Sequence, residues 1–197
     1  MHCITVQNIL RIISKEADSM KYLYHYYESV RGPFQTLTDL PLHEAMIIQD
    51  QLKQDKSLFA SKRSDEYLFI RRDLEKRARE IFIGKGGKPI RSNPHYMTLG
   101  KCQWLKEWYK DGKELEIDID EFNEKTISFT YGDLFPTMRF QDGKPYRGQI
   151  YMKEEIYKLI KEYGLPQDWN RQGNKGPERY IEVQIWDDIP LVKHIRR

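Results

Sequence analysis

The sequence predicts an α+β domain in which helices pack against a mainly antiparallel, strongly curved or split sheet. Two segments with apolar residues at helical spacing come early, and short strand-like segments dominate afterwards. No regular strand–helix–strand alternation and no glycine-rich dinucleotide fingerprint appear, which argues against a doubly wound parallel sheet.

The first strong element is 21–27, KYLYHYY, whose crowded aromatic and apolar residues predict a strand buried on both faces with His25 at its centre. After Gly32-Pro33 the chain breaks. Pro41 suits the first turn of a helix carrying Leu42, Ala45, Ile48 and Leu52. A second helix, about 65–82, places Tyr67, Ile70, Leu74, Ala78 and Ile81 on one face and most of its arginines elsewhere. Residues 95–99 form a short strand between Pro94 and Gly100. Segments 104–109 and 114–119 flank Asp111-Gly112 as a predicted hairpin. Residues 126–131, TISFTY, are a further strand. Residues 152–163 form a helix with Ile156, Leu159, Ile160 and Tyr163 as its buried stripe, stopped by Gly164 and Pro166. The polar stretch 164–177 predicts a functional loop. The last strand, 179–186, alternates Ile181, Val183 and Ile185 with Tyr180, Glu182, Gln184 and Trp186.

The 197 residues fit one domain, 20–197, behind an N-terminal extension, 1–19, with Met20 as an alternative start. Hydrophobic residues at 39%, with 13 Tyr, 8 Phe and 4 Trp, exclude a disordered chain. Only Cys3 and Cys102 are present, so a disulfide framework and a cysteine-rich zinc site are excluded and a reducing cytoplasm is the expected location. The apolar part of 3–13 is interrupted by polar residues and falls short of the roughly 18 apolar residues of a membrane span. Net charge is +3, but 62–91 holds ten Lys or Arg against five Asp or Glu, a local excess that can attract phosphates or simply form a solvated helix face.

Most chemical motifs fail on spacing. GKGGKP at 84–89 has glycines and lysines suited to an anion but lacks the Walker spacing, and it reads as a connector. His43, His95 and Cys102 lack the spacing of metal ligands, so no metal is expected. Glu114, Glu116, Asp118 and Asp120 read as the solvent face of an amphipathic strand, and no nucleophile elbow is present.

There remain three strands carrying His25, then Ser128 to Tyr131, then Glu182. LYHYY at 23–27, ISFTYGD at 127–133 and ERYIEVQIWDDIPL at 178–191 resemble the strands that line the NAD cleft of the ADP-ribosyltransferase-like superfamily. Tyr26 and Gln184 depart from its pattern. The chain also resembles a small uncharacterised bacterial protein family. The superfamily resemblance implies NAD as substrate, with cleavage of its nicotinamide–ribose bond or transfer of ADP-ribose. It implies Glu182 as the carboxylate that stabilises an oxocarbenium-like centre, and His25 as the partner of a ribose hydroxyl. Ser128, Phe129 and Tyr131 would line the cofactor, with Phe129 or Tyr131 stacked on nicotinamide, and Gln167, Trp169 and Asn170 would contact the acceptor. Two non-catalytic readings compete. One is a nucleic-acid-binding accessory that uses 62–91 for weak phosphate contacts and exposed Trp104 and Trp108 for stacking; the other is a protein-interaction module.

Overall fold

A computed structural model describes residues 20–195, so the expected extension 1–19, with Cys3, lies outside the described residues. Strands β1 (Tyr22–Glu28), β2 (His95–Leu99), β3 (Gly112–Asp118), β4 (Ile127–Tyr131) and β5 (Ile181–Ile185) form one sheet in the order β3-β1-β2-β5-β4. Every neighbouring pair is antiparallel. The described helices are α1 (Leu42–Gln54), α2 (Tyr67–Gly84), α3 (Gln103–Lys106), α4 (Leu134–Arg139), α5 (Lys153–Tyr163), α6 (Pro166–Trp169) and α7 (Val192–Ile195). No described helix is long and apolar enough to cross a membrane.

Register fixes what each face carries, because residues paired across an antiparallel ladder project to the same side. Leu23 pairs with Leu99 and Ile117, Leu99 with Ile181, and Val183 with Met97 and Phe129. This apolar face is covered by α5, whose Ile156 and Ile160 join the same buried cluster. Each such side chain removed from water contributes about 1.5–3 kcal/mol. The other face is polar. Tyr24 pairs with Thr98, Thr98 with Glu182, Tyr96 with Gln184, and Glu182 and Gln184 with Thr130 and Ser128.

Helix α2 covers part of that polar face, packing Leu74, Ala78 and Phe82 with Leu134 of α4 and with Trp186. Its buried residues are Leu68, Arg71, Leu74, Glu75, Ala78 and Phe82, so the buried stripe is rotated from the expected one and carries two charged side chains. Tyr67 and Ile81 stand at its margins.

The expected hairpin at Asp111-Gly112 is only half present. Asp111 has φ +49, as a tight turn requires, but the segment before it is α3, and β3 pairs with β1 instead. A side chain at 112 would meet this helix, since an added Cβ would lie 2.4 Å from the Lys106 carbonyl oxygen. We therefore expect Gly112→Ala to cost about 1–3 kcal/mol in urea denaturation. At Gly84, where an added Cβ meets nothing within 4 Å, Ala should instead stabilise by about 0.5 kcal/mol. Equal effects at the two positions would refute the close approach of α3 to β3.

Candidate active-site cleft

A cleft of about 220 Å³ opens on the polar face of the sheet. Tyr24 and Tyr26 of β1, Tyr96 and Thr98 of β2 and Glu182 of β5 line it, α2 contributes Tyr67, Arg71 and Glu75, and Phe34–Thr38 form part of its rim.

At its floor α2 is tied to the sheet by charge. Arg71 and Glu75 stand one turn apart on the buried stripe, and Arg71 Nε donates to Glu75 Oε1 at 3.0 Å. The Tyr96 hydroxyl donates to the same oxygen at 2.8 Å, and the guanidinium lies 4.0 Å from the centre of the Tyr96 ring. Burial works to lower the Arg71 pKa, but the surrounding tyrosines and the carboxylates of Glu182 and Glu75 outweigh it and push the pKa well up, so the guanidinium stays charged. Its Nη atoms have no hydrogen-bond partner among the described residues, nor has Glu75 Oε2, which is buried.

Glu182, 4% exposed, has the opposite tendency. Its Oε1 accepts from the Leu134 backbone N–H at 3.1 Å and from Gln184 Nε2 at 3.3 Å. The Tyr180 hydroxyl lies 3.4 Å from Oε2 and donates to Asp133 Oδ2 at 2.8 Å. Burial first, and the Asp133 charge second, push the Glu182 carboxyl up to about 8, partly offset by Arg71 and the Leu134 N–H. The shift favours the protonated carboxyl, with Oε2 facing the Tyr180 hydroxyl.

The structure does not gather the expected trio on one face. His25 projects to the apolar side with Leu23 and Leu115's ladder, one residue out of phase with Tyr24 and Glu182. It reaches the cleft wall only where β1 and β2 end their ladder at Tyr24–Thr98. Both ring nitrogens are occupied: Nδ1–H donates to the Tyr96 carbonyl at 2.8 Å, and Nε2 accepts from the Phe34 N–H at 2.9 Å. Its ring stacks on Phe34 at 4.1 Å and holds that residue in the left-handed region at φ +57. Nothing is left on the imidazole for a ribose hydroxyl. Phe129 and Tyr131 also face the apolar core, fully buried, so neither offers a face to nicotinamide. Ser128 shares the face of Glu182, but its hydroxyl donates to Gln184 Oε1 and accepts from Trp186 Nε1, both at 2.9 Å.

The expected acceptor loop is likewise committed internally. Gln167 Nε2 donates to the Leu99 carbonyl at 2.7 Å and Trp169 Nε1 to the Tyr131 hydroxyl at 3.1 Å. Asn170, 2% exposed, donates to the carbonyls of Gly176 and Glu178. These contacts staple 164–178 into shape and occupy one polar group of each side chain, with Gln167 Oε1 left buried and unpartnered.

About half of the basic segment is spent in a similar way. Arg72 donates to the Leu40 carbonyl, Arg79 to those of Pro89 and Arg91, Lys85 pairs with Glu155, and Arg91 pairs with Asp39 and Asp188. In 84–89 the N–H groups of Lys85, Gly86 and Gly87 cap the end of α2, so no nest of free amides forms. Trp104 and Trp108 are half-buried rather than exposed: Arg179 lies on Trp104 at 3.9 Å, and Trp108 stacks on Phe59 at 3.7 Å. Among the described residues no group of three or more His, Cys, Asp or Glu is placed to hold a metal ion.

Arg71, Glu75, Tyr96, Asp133 and Tyr180 are the residues sequence reasoning missed. A signal existed for the first two, since 68, 71, 75, 78 and 82 keep a strict three-four helical spacing. Comparison of the chain with protein-family models, curated proteins and solved structures returns no match, so the site is read from its own geometry.

Burial lowers the His25 pKa from its ordinary 6.5 to about 4. Between those values the unfolded chain binds the extra proton and the folded one does not. Stability from this group is full above pH 6.5 and is lost as pH falls toward 4. An NMR titration should find the ring neutral, as the Nδ1–H tautomer, down to about pH 4. A midpoint near 6.5 would mean that the ring is not held between Tyr96 and Phe34.

Proposed function

We propose that the polar-face cleft is the active site of an enzyme acting on a small anionic, nucleotide-like ligand, with Arg71 holding the anion and Glu182 donating a proton to the leaving group. One observation carries the reading. A guanidinium with unpartnered Nη atoms and a carboxyl whose pKa is raised to about 8 line the same cleft, under tyrosine rings able to stack on a base. A carboxyl that burial and a second carboxylate raise, in spite of the nearby Arg71 cation, is placed to work as an acid catalyst near neutral pH. The β1–β2 ladder is short, ending at Tyr24–Thr98, and residues of both strands line the cleft beside it.

NAD belongs to this ligand class, and NAD cleavage is the specific form of the proposal that the superfamily resemblance suggests. In that form the positive charge of the nicotinamide ring would lower the Glu182 pKa so that its proton passes to water on binding. The carboxylate would then stabilise the developing positive centre while the bond electrons return to the ring nitrogen of neutral nicotinamide. His25 then acts chiefly through Phe34, by shaping the rim, with both ring nitrogens already bonded within the protein.

Glu182→Gln keeps the acceptor for the Leu134 N–H and removes the acid. Calorimetry should show NAD or phosphate binding retained, while turnover, read as nicotinamide release or product formation, falls about 10²–10⁴-fold. The pH profile separates the two forms: activity that falls as pH rises through about 8 marks a proton donor, and activity that rises there marks a working carboxylate. Unchanged turnover in the variant, or no ligand binding by either protein, would leave a non-catalytic accessory or interaction role.

Stability gives an independent check. The folded Glu182 pKa lies above the ordinary 4.5, so the native state binds the extra proton between 4.5 and about 8, and wild-type stability drops as pH rises through that window. Thermal melts should show Glu182→Gln gaining on the wild type from pH 5 to pH 9. Parallel pH curves would mean that Glu182 is already ionised in the folded protein.

A further inference from the structure

A second cavity, about 420 Å³, adjoins the first. Its wall is mainly aliphatic and aromatic, from Leu40, Ile48 and Leu52 along α1 and the residues before it, Leu58 and Phe59 beyond it, and Tyr27 of β1; the charged pair Glu28–Arg31 and the polar Gln35 and Thr36 also line it. Tyr26, Arg63, Trp108 and Tyr109 line both cavities and so stand at their junction. Two of these junction groups have unspent capacity. Arg63 lies 4.4 Å from the Tyr67 ring and makes no ion pair among the described residues, while Trp108 Nε1 is buried without a hydrogen-bond partner.

We infer that the outer cavity is the subsite for the uncharged, bulky apolar part of the same ligand whose anion is held at Arg71, so that the substrate is an anion joined to a large apolar group. The proposal rests on the inner cleft being the ligand site. The two cavities differ in chemistry in the way such a ligand differs along its length: the inner floor holds the charged Arg71–Glu75 pair and Glu182, and the outer wall holds leucine and isoleucine side chains beside the stacked rings of Phe59 and Trp108. Arg63 sits where the anionic end joins the apolar one, in reach of a second charged oxygen. The outer cavity is about twice the volume of the inner one, which suits an alkyl or multi-ring group better than a methyl or a bare ribose.

Calorimetry of the full chain with inorganic phosphate and with ethyl, butyl, hexyl and octyl phosphate tests this. Once the alkyl chain passes the junction, each added methylene should tighten binding by up to about fourfold, as transfer of a methylene out of water dictates. Leu52→Trp and Ile48→Trp, which fill the outer cavity from α1, should abolish that gain and leave inorganic phosphate binding unchanged, with melting curves confirming the fold. Octyl phosphate binding no better than ethyl phosphate, or a chain-length gain that survives in both tryptophan variants, would overturn the outer subsite. The inner reading fails on a different result: phosphate affinity that is the same in the wild type, Arg71→Gln and Arg71→Lys. Should Arg71→Gln not fold, Arg71→Lys retains the charge beside Glu75 and still loses the fork that grips the anion.

Discussion

The contact between Arg71, Glu75 and Tyr96 ties helix α2 to the polar face of the sheet, and all three residues line the cleft. Two charges taken out of water are costly, and their mutual attraction offsets the cost only when hydrogen bonds satisfy the remaining atoms. Here the satisfaction is incomplete. Glu75 Oε1 receives both Arg71 and Tyr96, whereas Glu75 Oε2 and the Arg71 Nη atoms are left over. An aliphatic pair at 71 and 75 would pack the same helix on the same sheet without such remainders. Keeping a half-satisfied ion pair at the floor of a cavity is intelligible if a ligand completes it.

Removal from water gives Glu182 its character as well. Strand alternation points this side chain away from the apolar core and toward α2, and the N-terminus of α4 closes over it through the Leu134 N–H. Asp133 caps that helix through Phe135 N and presents its other oxygen to Tyr180, so a second carboxylate stands near the first. One carboxyl of such a pair tends to keep its proton. Helix capping, strand register and acidity are thus set by the same few residues.

Much of the fold was legible because it depends on local pattern. The Ile181, Val183, Ile185 alternation gave β5, the Pro41 signal gave α1, and Gly164-Leu165-Pro166 gave the end of α5. The segment at 104–109 misled because tryptophan and tyrosine favour strands, while packing of Leu105 beside Tyr26 and Tyr180 decided for a helical turn. The site was less legible. Glu182 was found by its place in a strand, but face assignment needs register, and whether position 25 shares a face with position 182 is settled only by the Leu23–Leu99 and Leu99–Ile181 pairings. Arg71 and Glu75 lay in plain helical spacing and were passed over because a charged residue on a helix is ordinarily assigned to solvent. Asp133 and Tyr180 meet across 47 residues, a distance no local pattern spans.

Strand β5 lies between β2 and β4 and hydrogen-bonds to both, yet it is the last strand along the chain. Until it is in place, β2 and β4 have no common neighbour and the apolar sides of Met97 and Phe129 cannot meet across Val183. During synthesis the chain must therefore carry four strands and most of its helices out of the ribosome before the centre of its sheet can close. Pairings of such high sequence separation fold slowly and leave partly built sheets exposed to aggregation. Because Glu182 sits on that closing strand, its buried carboxyl is set in place in the same step that completes the sheet.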